Sequence, residues 1–362
     1  MKIGTSTAFH SVEQREIADG LECLVVAEFG LNHNGSIEGA LDMVREAAAQ
    51  GCPAIKVQAY SADEFTSATA TYTYQQAGPD GEPVIITELQ RDIFKRCELP
   101  LEGFQAIRDE CRRLGLYWIA TATDPVWIER MMVLGVDALK VGSDDITHVP
   151  LLRRLRGLGV PVILSTGMAN ENEVARAVDE AQPAALLHCV SLYPTPPDAV
   201  NLGRMEALRK FGLPVGFSDH TATTPAAMIA MARGAAIVEK HFTLDNAFPG
   251  PDHWFSAVPE DLGILCRWAE YVPVVAAASR IAPDEREASM ASIARRSIVA
   301  ARYLPAWHMI SADDLAYRRP GTGMSPAEVD DVIGTFTQAP IAAGAQITPR
   351  LLAGVRTVSR ES

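Results

Sequence analysis

Short runs of nearly continuous apolar residues recur along the chain: LVVAEFG (24–30), AIKVQAY (54–60), LYWIATAT (116–123), ALKVGS (138–143), PVILSTG (161–167), AALLHCV (184–190), PVGFSDH (214–220) and AIVEKHFT (236–243). Runs of that length, apolar on both alternations, read as strands buried on both faces. Between them lie helical patterns such as SIEGALDMVREAAAQG, LEGFQAIRDECRRLG, ENEVARAVDEA and TPAAMIAMARG, closed mostly by Gly or Pro. Eight such units in about 250 residues predict an α/β fold, a TIM (β/α)8 barrel. A doubly wound parallel sheet is the alternative that the pattern alone leaves.

Polar residues interrupt this pattern at one place in each unit, the C-terminal end of the strand. Glu28 and Asn32, Lys56 and Gln58, Thr121 and Thr123, Lys140 and Ser143, Ser165 and Thr166, His188 and Ser191, Ser218 to His220, and Glu239 to His241 all fall there. One polar strand end is only the start of a solvated loop. Eight together mark the face where barrel enzymes keep their chemistry.

Residues 61–100 are too long for an ordinary connection and carry the turn-rich, aromatic stretch YTYQQAGPDGEP, which suits a lid or substrate loop. Arg267 to Arg280 reads as the last barrel helix, and the polar stretch after it as a linker. From Arg295 onward, short β-type runs broken by Pro and Gly predict a small β-rich domain. The expected division is a barrel over 1–281, a linker over 282–294 and a second domain over 295–362.

Composition narrows the function. With 362 residues, 48% of them hydrophobic and 21% charged, the chain is a folded globule of more than one core. A net charge of −13 argues against a nucleic-acid binder held by bulk electrostatics. The sign is uneven: residues 295–362 hold eight Arg against six acidic residues, so the acidity belongs to the barrel. The six cysteines have no zinc spacing and read as buried thiols of a cytoplasmic protein. Neither an export signal nor a membrane span is visible in the sequence.

His220 and His241 end successive strands and should point toward the barrel mouth, where two imidazoles can hold a divalent metal such as Mn²⁺. Two hydrogen-bonded structural histidines are the alternative. Asp219 and Glu239 flank them as candidate orienting groups. Lys56, Lys140 and Lys240 lie at strand ends inside an acidic barrel, and a desolvated ammonium demands an anionic partner. With Ser143, Ser165 and Ser218 as donors, Lys56 and Lys140 would form a site for a compact anion bearing phosphate and carboxylate. A Schiff-base lysine is the competing use. Glu28 is suited to orienting a polyol or to acid/base work, His33 and Asn32 follow it in a loop that also supplies the helix start at Ser36, and PGPDHWFS (249–256) offers Asp252 and His253.

Taken in order, AEFGLNHNGS, KVQ, LKVGSDDIT, PVILSTGM, LLHCVSLYPTP, PVGFSDHT, VEKHFTLD and PGPDHWFS resemble the sialic acid synthase family, the phosphoenolpyruvate-dependent N-acetylneuraminate synthases and their relatives. The tail RRSIVAAR…ISADDLAYRRPGTGMSP…IGT resembles that family's C-terminal antifreeze-like (SAF) domain. The resemblance implies that C3 of phosphoenolpyruvate attacks the aldehyde of an open-chain N-acylated amino sugar, that water adds at C2, and that phosphate leaves with C–O cleavage. It implies Mn²⁺, or Mg²⁺, on His220 and His241. It places Lys56, Lys140, Ser143, Ser165, Ser191 and Ser218 on phosphoenolpyruvate, and Glu28, Gln58, Tyr193, Asp252 and the SAF residue Arg319 toward the sugar. Thr121 and Glu239 match further active-face positions. A domain-swapped homodimer, with one subunit's SAF domain over its partner's barrel, is also implied.

The chain departs from the family pattern. STPFD is ATATD here, with Ala122 and Thr123; SGDIT is SDDIT, with Asp144; and HCTS is HCVS. Residues 61–100 hold no Asn, although the family has one there for the N-acyl group. The expected function is therefore a metal-dependent synthase of a sialic acid-like 2-keto acid. Its alternatives are the same chemistry on another aldose, such as a bis-acetamido sugar of legionaminic or pseudaminic type or a secondary-metabolite sugar, and a non-catalytic carbohydrate-binding barrel.

Overall fold

A computed structural model describes residues 1–3, 6–7, 10–11, 15–19, 22–78, 82–276 and 281–353. Eight parallel strands close into a barrel: β1 (Leu24–Glu28), β2 (Ala54–Ala59), β3 (Tyr117–Ala122), β4 (Ala138–Val141), β5 (Val162–Ser165), β6 (Ala185–Cys189), β7 (Val215–Asp219) and β8 (Ile237–His241). Each neighbours the next in chain order, and β8 pairs with β1 with His241 opposite Glu28. The doubly wound alternative is excluded.

The side-chain period of two sorts these strands into two layers. Val25, Ala27, Ile55, Val57, Trp118, Ala120, Leu139 and Val141 pack outward against the helices. Leu24, Val26, Ala54, Tyr117, Ile119, Ala138, Ile163, Ala185, Leu187 and Ile237 fill the lower barrel. Continuing that inward parity to the upper ends brings Glu28, Lys56, Thr121, Lys140, Ser165, Ser218, Glu239 and His241 into the mouth.

The floor is closed by a piece of chain with no counterpart in the sequence reading. Lys2–Ile3 pairs antiparallel with Arg15–Glu16, and Ile3 and Ile17 are both fully buried in the lower core. Burying each isoleucine is worth about 2 kcal/mol.

Surrounding helices start where side chains satisfy free amides. Ser36 caps Ile37–Ala49 through the Gly39 amide, and Asp124 caps Pro125–Leu134 through Val126 and Trp127. Asn170 and Glu173 form a capping box on Glu171–Ala181. The last barrel helix begins earlier than expected, at Pro259, and is described to Ala276; the expected end at Arg280 lies outside the described residues.

Residues 61–100 are more ordered than a plain loop. Helix Ala62–Phe65, the antiparallel hairpin Thr71–Ala77 with Pro83–Leu89, and helix Gln90–Cys97 share a small core of Leu31, Tyr60, Ala62, Tyr74, Ile93 and Cys97. No helix among the described residues is long and apolar enough to cross a membrane, and all six cysteines are buried and outside disulfides.

The chain divides into two compact units between residues 278 and 279. The stretch read as a plain linker carries helical structure, a 3₁₀ turn at Glu285–Glu287 and a helix at Ala288–Ala294, started by a capping box between Asp284 and Glu287. A short solvated helix is as polar as any other linker, so composition does not separate the two. In the second unit, Ser297–Ala300 pairs with Leu315–Arg318 and Phe336–Thr337 with Leu352–Ala353, around Ile298, Leu304, Ile310, Val332, Ile341 and Ile347.

Asp314 ties that unit together. Its buried carboxylate accepts from the Ser311 amide and hydroxyl at 2.9 Å, from His308 Nε2 at 2.9 Å and from Arg302 Nε at 2.8 Å. Burial alone would raise this carboxyl's pKa, but the bonds from Ser311, His308 and Arg302 outweigh it and hold the group well below the carboxylate range. Such a group stabilises the fold fully above its unfolded pKa of about 4, and the contribution is lost as pH falls through the depressed folded value. Asp314→Ala should therefore cost about 2–4 kcal/mol at neutral pH. In denaturant titrations at stepped pH, the gap from wild type should narrow below about pH 4; a gap independent of pH would contradict this account.

Candidate active site

A cavity of about 790 Å³ opens at the C-terminal ends of the strands. Glu28, Lys56, Gln58, Thr121, Lys140, Ser143, Ser165, Ser191, Tyr193, Ser218, His220, Glu239, His241 and Asp252 all line it, so every barrel residue that the family resemblance places at the site faces one space. Arg319 belongs to the second unit, where it is exposed just after the strand Leu315–Arg318.

Two ammonium groups lie at the floor, and they are held differently. Lys56 Nζ sits 2.6 Å from Glu28 Oε2, 3.7 Å from Glu239 Oε1 and 3.3 Å from Thr121 Oγ1. Burial would lower its pKa, yet Glu239 and Glu28 outweigh burial and raise it. Lys140 Nζ has Glu239 Oε2 at 3.8 Å, too far for a hydrogen bond. For Lys140 burial wins, and its pKa is lowered despite Glu239. Both lysines are 3% exposed, so Lys140 is a desolvated cation with an incomplete counter-charge.

Glu239 bridges the two lysines and accepts from Ser218 Oγ at 2.9 Å. Burial would raise its pKa, but Lys140 and Lys56 outweigh burial and keep it ionised. Glu28 accepts from Gln58 Nε2 at 3.1 Å and the Gly30 amide at 3.0 Å. Its pKa is raised, because burial exceeds the pull of Lys56.

The hydroxyls divide likewise. Ser143 Oγ takes the Gly167 amide at 2.9 Å and meets Cys189 Sγ at 2.8 Å, while the buried Ser165 and Ser191 hydroxyls have no hydrogen-bond partner. Gly167 was not singled out from the sequence, although its GM context follows a strand. A Cβ there would come within 2.6–2.7 Å of Cys189 Sγ, Ser143 Oγ and Ser191 Oγ, so only glycine leaves this cradle open.

The imidazoles of His220 and His241 lie with ring centroids 5.4 Å apart, and Tyr193 packs 4.3 Å from His220. His220 Nδ1 donates to the Val190 carbonyl at 2.7 Å, which directs its other nitrogen's lone pair away from that bond. Burial pushes the His220 pKa down to about 4 and that of His241 well below the usual value, with His220 itself a second cause for the latter. Both rings are thus neutral at pH 7. His241 Nδ1 is buried without a hydrogen bond, with Asp252 Oδ2 3.6 Å away. Two neutral nitrogen donors and an orphaned buried ring atom fit a divalent ion that takes its remaining ligands from water or substrate. No cluster of three protein ligands occurs among the described residues. Burial also raises the Asp252 pKa to about 7. Gly30, at φ +49°, lets the chain pass here, since a Cβ would meet Asp252 Oδ2 at 2.8 Å and His241 Cε1 at 3.2 Å.

Other strand-end groups are structural. Asp219 and Lys240 have outward parity and form a buried ion pair at 3.0 Å, so Asp219 does not orient the histidines and Lys240 is not in the cavity. His188 Nε2 meets the Val200 carbonyl, Asn32 donates to Phe242 O and Ser256 Oγ, His33 accepts from the Gly35 amide, and His253 bridges Thr243 and Asn34. The long excursion supplies lining residues the sequence did not identify: Glu64, Phe65, Thr66, Tyr72, Gln90, Ile93 and Phe94. So do Asp124, Asp144, Asp145 and His148.

Fold and site together define a (β/α)8 barrel with two buried lysines, two unpartnered buried hydroxyls and a pair of neutral imidazoles at its mouth. Residues 43–277 match the NeuB family and residues 295–353 the SAF domain, and the chain belongs to the NeuB family. It is 33% identical over 352 residues to the N,N'-diacetyllegionaminic acid synthase of Legionella pneumophila, covering 94% of this chain and 97% of that protein. To the N-acetylneuraminate-9-phosphate synthase of Drosophila melanogaster it is 32% identical over 249 residues, 67% of this chain and 65% of that one. Among solved structures, the N-acetylneuraminic acid (sialic acid) synthetase of Leptospira borgpetersenii is similar, with a TM-score of 0.67 and 29% identity over 80% of this chain and 95% of that chain.

Proposed function

We propose that this protein condenses phosphoenolpyruvate with an open-chain N-acylated amino sugar to give a nonulosonic, sialic acid-like 2-keto acid and inorganic phosphate. The observation that carries this reading is the floor of the cavity: Lys140 with an incomplete counter-charge beside two unpartnered buried hydroxyls, Ser165 and Ser191. Such a site calls for a small polyanion.

Lys56, Lys140, Ser165 and Ser191 would hold the phosphate and carboxylate, with Ser143 and Ser218 fixing the walls. His220 and His241 would hold Mn²⁺ or Mg²⁺, which supplies Lewis acidity to the aldehyde and a place for water. Glu28, whose pKa burial raises and whose carboxyl Gln58 anchors, is placed to exchange a proton with a sugar hydroxyl. In the net reaction C3 of phosphoenolpyruvate bonds to the aldehyde carbon, water oxygen adds at C2, and the C2–O bond to phosphate breaks. The reaction is of the transferase kind, and buried thiols outside disulfides suit a reducing compartment such as the cytoplasm. A role for Arg319 at the sugar, and the homodimer, rest on the family resemblance.

The same chemistry on a bis-acetamido sugar is the second reading, favoured by the 94% coverage of this chain in its similarity to the legionaminic acid synthase. Purified protein with phosphoenolpyruvate, Mn²⁺ and a panel of N-acylated hexosamines should release phosphate and yield a product three carbons longer than the acceptor. Product mass then separates the two readings. If no sugar in the panel led to phosphate release, the condensation would be refuted and the carbohydrate-binding alternative would stand.

A further inference from the structure

Five of the six cysteines sit in apolar clusters. Cys23, Cys52, Cys111 and Cys266 belong to the main core and Cys97 to the small core of residues 62–97, whereas Cys189 belongs to neither and lines the cavity. It ends strand β6 opposite Ser218 of β7, shares that residue's inward parity, and is 1% exposed. A thiol so placed is neither core filler nor a surface group, and the residues assigned above leave it without a role.

Its surroundings supply one. Cys189 Sγ lies 2.8 Å from Ser143 Oγ, and the same oxygen accepts the Gly167 amide at 2.9 Å. Three successive strand ends meet in this contact, since Ser143 follows β4, Gly167 follows β5 and Cys189 closes β6. Ser191 Oγ reaches the same point, because a Cβ on Gly167 would meet it at 2.7 Å. Ser165, 2% exposed, adds a second unpartnered hydroxyl to the cavity, so more than one buried donor here calls for a ligand. After burial, Glu239 and Lys56, Cys189 is the next neighbour to bear on the Lys140 pKa, which places the thiol near that ammonium.

A serine hydroxyl has one hydrogen to give and two lone pairs to fill, while a thiol both donates and accepts weakly. The Gly167 amide occupies one lone pair of Ser143. Without an anion, Ser143 can give its hydrogen to Cys189. When an anion binds, that hydrogen turns to it and the Cys189 S–H fills the second lone pair. We infer that Cys189 is a positioning residue of the anion site, a reversible thiol partner that aims the Ser143 hydroxyl at bound phosphoenolpyruvate. The identity of the anion rests on the condensation proposed above. Alanine at 189 would leave the Ser143 hydroxyl unaimed, whereas serine can reverse its role as the thiol does.

Calorimetric titration of the full-length protein with phosphoenolpyruvate, and separately with inorganic phosphate, tests this without turnover. Cys189→Ala should weaken both by about tenfold, and Cys189→Ser should recover at least half of that factor on a logarithmic scale. In a Ser143→Ala background, Cys189→Ala should cost less than about twofold more, because the hydroxyl it acts through is already gone. A merely structural role would instead give the same loss in both backgrounds. Should Cys189→Ala not fold, the S–H stretching band of the wild type, assigned by its loss in Cys189→Ser, should move to lower frequency when phosphoenolpyruvate binds. Unchanged binding in Cys189→Ala, additive losses in the double variant, or an unmoved S–H band would each overturn the inference. Wild-type binding of phosphoenolpyruvate with the expected Cys189 effects, but no phosphate release with any sugar, would support it and count against the condensation alone. A wild type that binds neither anion would overturn both.

Discussion

Lys140→Met should lower kcat/KM for phosphoenolpyruvate by about 10³-fold, equivalent to ~4 kcal/mol of transition-state stabilisation. Lys56 has a carboxylate at 2.6 Å before any ligand arrives, whereas Lys140 has only Glu239 at 3.8 Å. Burial lowers the Lys140 pKa, so its charge is costly until an anion completes it. Ligand binding therefore draws more from Lys140 than from Lys56. Methionine keeps most of the aliphatic stem, and Glu239 retains Ser218 at 2.9 Å and Lys56 at 3.7 Å. The variant should thus unfold close to the wild-type temperature. Steady-state phosphate release and a thermal melt check both halves, and a loss below about tenfold would remove Lys140 from the anion site.

Asp219→Ala should be the most damaging substitution for stability, at about 3–5 kcal/mol. Asp219 is fully buried, and removing it leaves the Lys240 ammonium, 1% exposed, with the carbonyls of Thr221 and Thr223 and the Thr221 hydroxyl. Burial raises the Asp219 pKa and lowers that of Lys240, each against the pull of its partner. Each charge is thus tolerated only because the other is present. Replacing both, Asp219→Leu with Lys240→Met, should recover at least half of the loss, since no charge is then stranded. Urea titrations of the single and double variants measure this, and a double variant as unstable as Asp219→Ala would refute it.

The barrel was legible because eight buried strands write eight apolar runs, and the observed strands fall within the expected ones. The site was legible because polar residues cannot sit at strand ends inside an apolar barrel without purpose. Apolar runs and polar strand ends do not by themselves carry parity. Asp219 and Lys240 are odd neighbours of Ser218, Glu239 and His241, so the period of two sends them to the helical layer. His188 follows the same rule beside Cys189. Counting alternate positions from Glu28, Lys56 and Glu239 would have separated cavity from scaffold. Gly167 and the lining residues of 61–100 were beyond such counting, because a cradle without a side chain and a wall from a hairpin arise only in tertiary packing. The helix at Ala288–Ala294 was masked by its polarity.

The excursion over residues 62–97 carries its own small core and lies between two strands of the barrel without contributing to either. The cavity is therefore lined by two different pieces of chain, the strand ends and this insertion. The floor with Lys56, Lys140, Glu239 and the histidines is carried on or beside the barrel's hydrogen-bonded strands, so its backbone is placed by the closed sheet. The aromatic wall can be rewritten within one insertion while the floor stays as it is. In descent, a lineage could move from one acceptor to another by drift in a stretch of under forty residues, keeping the same carbon–carbon bond-forming step throughout.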